Sequence, residues 1–153
     1  KVTVNKKSDL ATTITSEEYG HTIVNGYIKT VKLPTTGMEL KNQLDNPNEY
    51  LEIWTADESV KVEDTENLAT GMIVKLMING EEKDRKTIVI KGDTSGDGEI
   101  DLFDAVRILN NALGKIELTD AYKEAAFVNN DEEIDLLDAV MILNHCLGKS
   151  LLY

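Results

Sequence analysis

The chain has 153 residues, 41% of them hydrophobic, with only 2 Pro, room for one medium domain or two small ones. Its net charge of −12 is uneven, because residues 92–153 hold 13 Asp/Glu against 4 Lys/Arg. That balance excludes a nucleic-acid surface, which needs positive charge, and fits a region that collects cations.

No stretch is long and apolar enough to cross a bilayer. The one cysteine, Cys146, permits no intrachain disulfide. The chain opens at Lys1 without an initiator Met or a signal-peptide pattern. It therefore reads as a piece of a longer protein, with any export signal upstream.

The first 91 residues read as a small strand-rich domain, Ig-like or β-grasp-like. Ile23-Val24-Asn25-Gly26-Tyr27-Ile28 carries the Asn-Gly signal of a tight hairpin. Leu33–Gly37 spells LPTTG, a cell-wall sorting motif, but a polar segment and more than a hundred residues follow it. It reads instead as a turn before a short helix over Met38–Leu44. Tyr50–Trp54 is the next expected strand. Met72–Ile78, Asn79-Gly80 and Thr87–Ile90 repeat the hairpin signal. Ile88–Ile90 runs into Asp93 without a flexible linker, so domains 1–91 and 92–153 are expected to touch.

Asp93-Thr-Ser-Gly-Asp-Gly-Glu-Ile-Asp-Leu-Phe-Asp104 is a twelve-residue loop. Asp93, Ser95, Asp97, Asp101 and Asp104 put side-chain oxygens at positions 1, 3, 5, 9 and 12, and Glu99 offers its carbonyl at position 7. A hard cation seeking six to eight oxygens is wrapped by that spacing, and calcium suits it better than magnesium. Gly98 at position 6 permits the sharp bend. A polar turn leading into an acidic helix start would explain one or two of these acids, not four in this register. Ile100 at position 8 is placed to pair its backbone with the matching loop.

Ile100–Lys115 and Ile134–Lys149 are a repeat, identical at 12 of 16 positions. Each copy reads as a helix ended by Gly114 or Gly148. The expected inner stripes are Ala105, Ile108, Leu109, Ala112 and Leu113, and Ala139, Ile142, Leu143, Cys146 and Leu147. Cys146 is thus expected in the core. Between the copies, Thr119 is placed to cap a helix over Asp120–Ala126, with Tyr122, Ala125 and Ala126 inward.

Fixed by the helix offset, the second loop places Asn129, Asp131, Glu133, Asp135 and Asp138 at positions 3, 5, 7, 9 and 12. Phe127 at position 1 has no side-chain oxygen, and Glu132 replaces the glycine at position 6. Two readings stay open: a weaker calcium site, or a metal-free loop with Phe127 turned into the core.

The fragment Gly92–Gly114, with its duplication through Lys149, resembles a dockerin, half an EF-hand used twice with Asp at position 12. The second loop departs from that pattern at Phe127 and Glu132. The resemblance implies a calcium-folded module that binds a cohesin on a scaffoldin, in secreted polysaccharide-degrading complexes of anaerobic bacteria. It implies a binding protein rather than an enzyme, monomeric when free. A strand-rich domain directly before a dockerin is similar in arrangement to an X-module.

On the first repeat helix Leu102, Phe103, Val106, Arg107 and Asn110 face away from the expected stripe. Leu136, Leu137, Val140, Met141 and Asn144 match them on the second. Outward apolar side chains on so acidic a module point to a partner surface. The alternative is cover by the N-terminal domain or the middle helix. Near-identity of the two faces would allow a partner to dock on either copy after a half-turn. No catalytic constellation is apparent, and neither His21 nor His145 has ligand-like neighbours in sequence. Trp54 and Tyr50 would serve a carbohydrate only if exposed on the sheet.

Overall fold

The computed structural model describes residues 11–153, so the first ten residues of the expected 1–91 domain lie outside the described residues. The N-terminal part is one five-stranded mixed sheet. Its strands are β1 (Thr22–Val24), β2 (Tyr27–Val31), β3 (Leu51–Trp54), β4 (Ile73–Ile78) and β5 (Glu81–Ile90), in spatial order β1-β2-β5-β4-β3.

Both Asn-Gly pairs are the expected turns. Asn25 and Gly26, and Asn79 and Gly80, all have positive φ, 52°, 82°, 53° and 78°. Two left-handed residues in succession give the twist that lets a two-residue hairpin close. The unforeseen link is the parallel pairing of β2 with β5, which places Ile28 beside Ile88. β5 also begins six residues earlier than the hydrophobic pattern indicated. Its charged start, Glu81–Lys86, pairs with β4 and is laced by ion pairs such as Arg85–Glu58 and Arg85–Glu82.

Helix α1 (Gly37–Gln43) follows the LPTTG turn. Thr36 Oγ1 accepts from Glu39 N, and Glu39 Oε2 accepts from Thr36 N at 2.7 Å. This reciprocal cap satisfies two donors that a helix start leaves unpaired. Leu40 of α1 and Leu44, its C-cap, pack on one sheet face with Ile53, Leu76, Ile88 and Ile90, all buried. Each such side chain stabilises the fold by about 1.5–3 kcal/mol through burial.

The C-terminal part holds α2 (Leu102–Ala112), α3 (Asp120–Ala126) and α4 (Leu136–Cys146). Asp101 and Asp135 cap α2 and α4 in identical boxes with Asp104 and Asp138. Thr119 stands at the N-cap of α3 but makes no side-chain cap bond. Ala105 and Ile108 of α2 pack against Ala139 and Ile142 of α4.

The buried stripe is narrower than the periodicity suggests. Leu109, Ala112 and Leu113 are exposed, as are Cys146 and Leu147. With α3 only 7 residues long, the buried arc is limited to Asp104, Ala105 and Ile108, with its counterpart in α4. Cys146 therefore lies in the exposed last turn, its thiol directed at the Ile100 carbonyl.

The two parts do touch. β5 alternates faces, so Ile88 and Ile90 meet α1 while Val89, between them, packs with Ala121 and Ala125 of α3. Gly92 N donates to Ala125 O at 2.9 Å, and Lys29 pairs with Glu124 across the seam. The sheet thus lies between α1 and α3.

Candidate metal loop and exposed helix faces

Loop 1 follows β5 directly. Asp93, its first position, is fully buried. Its Oδ1 accepts from Gly96 N at 2.8 Å, and its Oδ2 from Gly98 N at 3.3 Å and from Thr70 N of the sheet region at 2.8 Å. Asp104, the last position, is also fully buried and accepts from Ser95 N at 2.8 Å and Asp101 N at 2.9 Å. Asp97 Oδ1 accepts from Glu99 N. Gly98 takes the left-handed bend expected of position 6, with φ +81°.

The electrostatics favour a cation. Burial pushes the Asp93 carboxyl above the usual carboxylate range, and the charges of Asp104 and Asp97 push it further against the pull of its amide donors. Burial raises Asp104 as well, with Asp97 adding to the rise. Buried like charges without a counter-ion are costly. Among the described residues no three His, Cys, Asp or Glu side chains converge as an assembled metal cluster. The loop-1 carboxylates instead hold backbone amides. Their oxygens, with Ser95 and the Glu99 carbonyl, are of the hard kind a dication takes.

Loop 2 reproduces the frame but not the centre. Asp138 is fully buried and accepts from Asn129 N at 3.1 Å, and Asp135 N donates to it at 3.0 Å. Asp131 accepts from Glu133 N, and also from the side-chain amide of Asn129 at 2.6 Å. Glu132 is absent from the left-handed residues, whereas Asn130 is among them at φ +64°. Phe127 is half-buried, not in the core, and lines a cleft of about 590 Å³ beside Val89, Lys91 and Tyr153. With no oxygen at position 1 and no bend at position 6, these residues do not fit calcium as loop 1 does. Ile100 and Ile134 both pack on the helical core, but no backbone bridge joins them among the described residues.

The helix faces are matched. Leu102 and Leu136 are each 60% exposed, Phe103 and Leu137 56% and 53%, and Val106 and Val140 41% and 38%. Neither the sheet region nor α3 covers them. Asn110, Met141 and Asn144 are half-buried. Arg107, also half-buried, donates from Nε to Thr94 O at 3.0 Å and is thereby tied to loop 1. Leu113 and Leu147 extend the exposed apolar surface.

Other sequence candidates have local roles. His21 bonds Thr30 and Gln43. Trp54 is half-buried, with its N–H on Glu52 and Lys75 Nζ over its ring at 4.8 Å. Tyr50 packs against the sheet core.

Sequence reasoning missed Thr70 and Gly96, and gave Tyr122 only as an inward residue of α3. A Cβ at Gly96 would stand 2.7 Å from Tyr122 Cε1 and 2.9 Å from Thr70 O, and one at Gly98 would stand 3.0 Å from Leu68 O. The only local trace is a glycine at loop position 4, a place the ligand pattern leaves free.

The family described as Dockerin type I domain matches residues 91–147. Chains of two solved structures of the third cohesin ScaC with the ScaB dockerin of Acetivibrio cellulolyticus, displaying a type I interaction, are 36% identical to this one. They cover 42% of this chain and 90% and 92% of their own, with TM-scores of 0.40 and 0.41. One carries an IN to SI mutation in the C-terminal helix, the other in the N-terminal helix. Comparison with curated proteins finds no match.

Proposed function

Because the chain belongs to the dockerin type I family through residues 91–147, we propose that it is a calcium-dependent docking module. It binds a cohesin on a scaffoldin and anchors its parent protein in a secreted or cell-surface polysaccharide-degrading complex. The observation that carries this is the equal exposure of Leu102, Phe103 and Val106 and of Leu136, Leu137 and Val140. Exposed apolar clusters of this kind mark partner sites. Arg107, Asn110, Met141 and Asn144 border the two faces. The role is binding rather than catalysis.

Calcium would be held at loop 1 by Asp93, Ser95, Asp97, the Glu99 carbonyl, Asp101 and Asp104. Neutralising the buried Asp93–Asp104 pair, it would couple metal binding to ordering of the helices. Loop 2 is read as metal-free. The chain divides into domains 1–91 and 92–153, the first in the place of an X-module. Its single mixed sheet with a helix after the second strand favours a β-grasp-like over an Ig-like arrangement.

Calorimetric titration of the metal-stripped chain with calcium, followed by titration with type I cohesins including the third cohesin of ScaC, tests the proposal. One equivalent of calcium with a gain of helix, then cohesin binding abolished by chelator, is the expected result. Absence of calcium binding at millimolar concentration would overturn it. Calcium binding without any cohesin partner would favour a calcium-stabilised structural domain instead.

A further inference from the structure

The sheet region and loop 1 are joined at a carboxylate oxygen. Thr70 is 1% exposed, and its amide donates to Asp93 Oδ2 at 2.8 Å. The Thr70 amide is itself fixed, because Thr70 Oγ1 donates to Ile90 O at 3.2 Å and accepts from Ile90 N at 3.0 Å. The same segment presses on the loop beyond that bond, with Thr70 O against Gly96 and Leu68 O against Gly98. Tyr122 of α3 closes the other side, its ring against Gly96 and its hydroxyl against Gly71.

Among the described residues loop 2 has no backbone brace of this kind, and Lys91 reaches it only at the side chain of Asn130. Asn130 and Glu132 stand where Gly96 and Gly98 stand in loop 1, and residues of that size could not occupy the loop-1 positions without displacing the Leu68–Gly71 backbone. The brace is therefore specific to one loop of the repeat.

We propose that Leu68–Gly71 is the outer support of the loop-1 metal site, with Thr70 as the positioning residue that orients Asp93. The calcium affinity of the C-terminal module is then set in part by the domain before it. Groups that hold a ligand from outside the coordination sphere fix its orientation, and their loss typically weakens metal binding by about 10–100-fold. Asp93 is buried between two regions that are far apart in sequence, so its free rotamers are removed before the ion arrives. The inference rests on the calcium reading of loop 1.

The test compares calcium titrations of the full chain and two variants by calorimetry. Thr70→Val keeps the shape and removes the bonds that fix the amide. Val74→Ala, in the sheet core, destabilises the same region without removing a group bonded to Asp93. The expected result is a loss of about tenfold or more in affinity for Thr70→Val and a change within about twofold for Val74→Ala. In the unaltered chain the Thr70 amide resonance should also shift on calcium saturation, with that of Asn79 unmoved. That second measurement decides the matter if Thr70→Val does not fold. Equal affinities in the unaltered chain and Thr70→Val, or a Thr70 amide indifferent to calcium, would overturn the inference and leave the calcium reading standing. An unaltered chain that binds no calcium overturns both.

Discussion

Asp104 and Asp138 occupy equivalent places 34 positions apart. Both are fully buried, and each accepts the amide of loop position 3, Ser95 at 2.8 Å and Asn129 at 3.1 Å. Each also closes the capping box of its helix. The frame is shared, and only loop 1 adds a buried carboxylate, Asp93, to face it.

That difference separates two substitutions. Asp138→Asn should lower the stability of the helical region by about 0.5–2 kcal/mol through the weakened cap and leave calcium stoichiometry unchanged. Asp104→Asn weakens the same kind of cap but also removes a charge facing Asp93, so in chelator it should cost less than Asp138→Asn, and it should remove measurable calcium binding near micromolar concentrations. Thermal melts in chelator, with calorimetry in calcium, distinguish the two.

Two glycines with the same backbone handedness should respond differently. Gly114 has φ +69° and open space around its Cβ position, so Gly114→Ala should cost about 1–2 kcal/mol from the backbone alone. Gly96 has φ +78° and meets Tyr122 and Thr70. Gly96→Ala should cost at least a further 1–3 kcal/mol, the scale of overpacking. Denaturant midpoints at constant slope check the difference.

The docking face should be separable from the fold. Phe103→Ala and Leu137→Ala alter side chains more than half exposed, so each should change stability by about 0.5 kcal/mol or less. The double variant should weaken cohesin binding by about 2 kcal/mol or more if these are anchors. Loss of binding in one single variant alone would show that only one copy is used.

The seam between the two parts is tight at Ala125, which is fully buried beside Val89. Ala125→Leu should destabilise the chain by about 1–3 kcal/mol and expose residues 90–92 to protease. The Lys29–Glu124 pair is roughly a third exposed on each side, so its removal should cost no more than about 1 kcal/mol and less in high salt.

Asp57 provides a pH marker in the turn after β3. Hydrogen bonds from Thr55 and Ser59 lower its carboxyl to about 2. A folded value below the unfolded one means that its contribution is present above about 3.9 and lost as pH falls toward 2. Carboxyl carbon shifts through an acid titration read this directly.

Much of this was legible in sequence because it is local. Asn25-Gly26 and Asn79-Gly80 specify hairpin turns by their own backbone preferences, and Gly114 and Gly148 end the repeat helices by theirs. The β2–β5 pairing was not legible, since it joins segments some sixty residues apart with no turn between them. Glu81–Lys86 has no apolar alternation, so its strand comes from the partner, not from its own pattern. Leu109, Leu113 and Cys146 lie on an ideal helical stripe, but burial requires a facing surface, and α3 stops short of them. The bond from Thr70 to Asp93 connects two regions whose signals are individually complete.

The contact of Thr70 and Tyr122 with Gly96 bears on how such modules recombine. A unit cut at Gly92 and fused behind another protein would keep its loops, caps and exposed helix faces. It would lose the wall against which loop 1 is moulded, and Ala121 and Ala125 would face water. The repeat is transferable in principle, but in this chain its first half has been fitted to one particular neighbour, and the pair is inherited most safely as a single cassette.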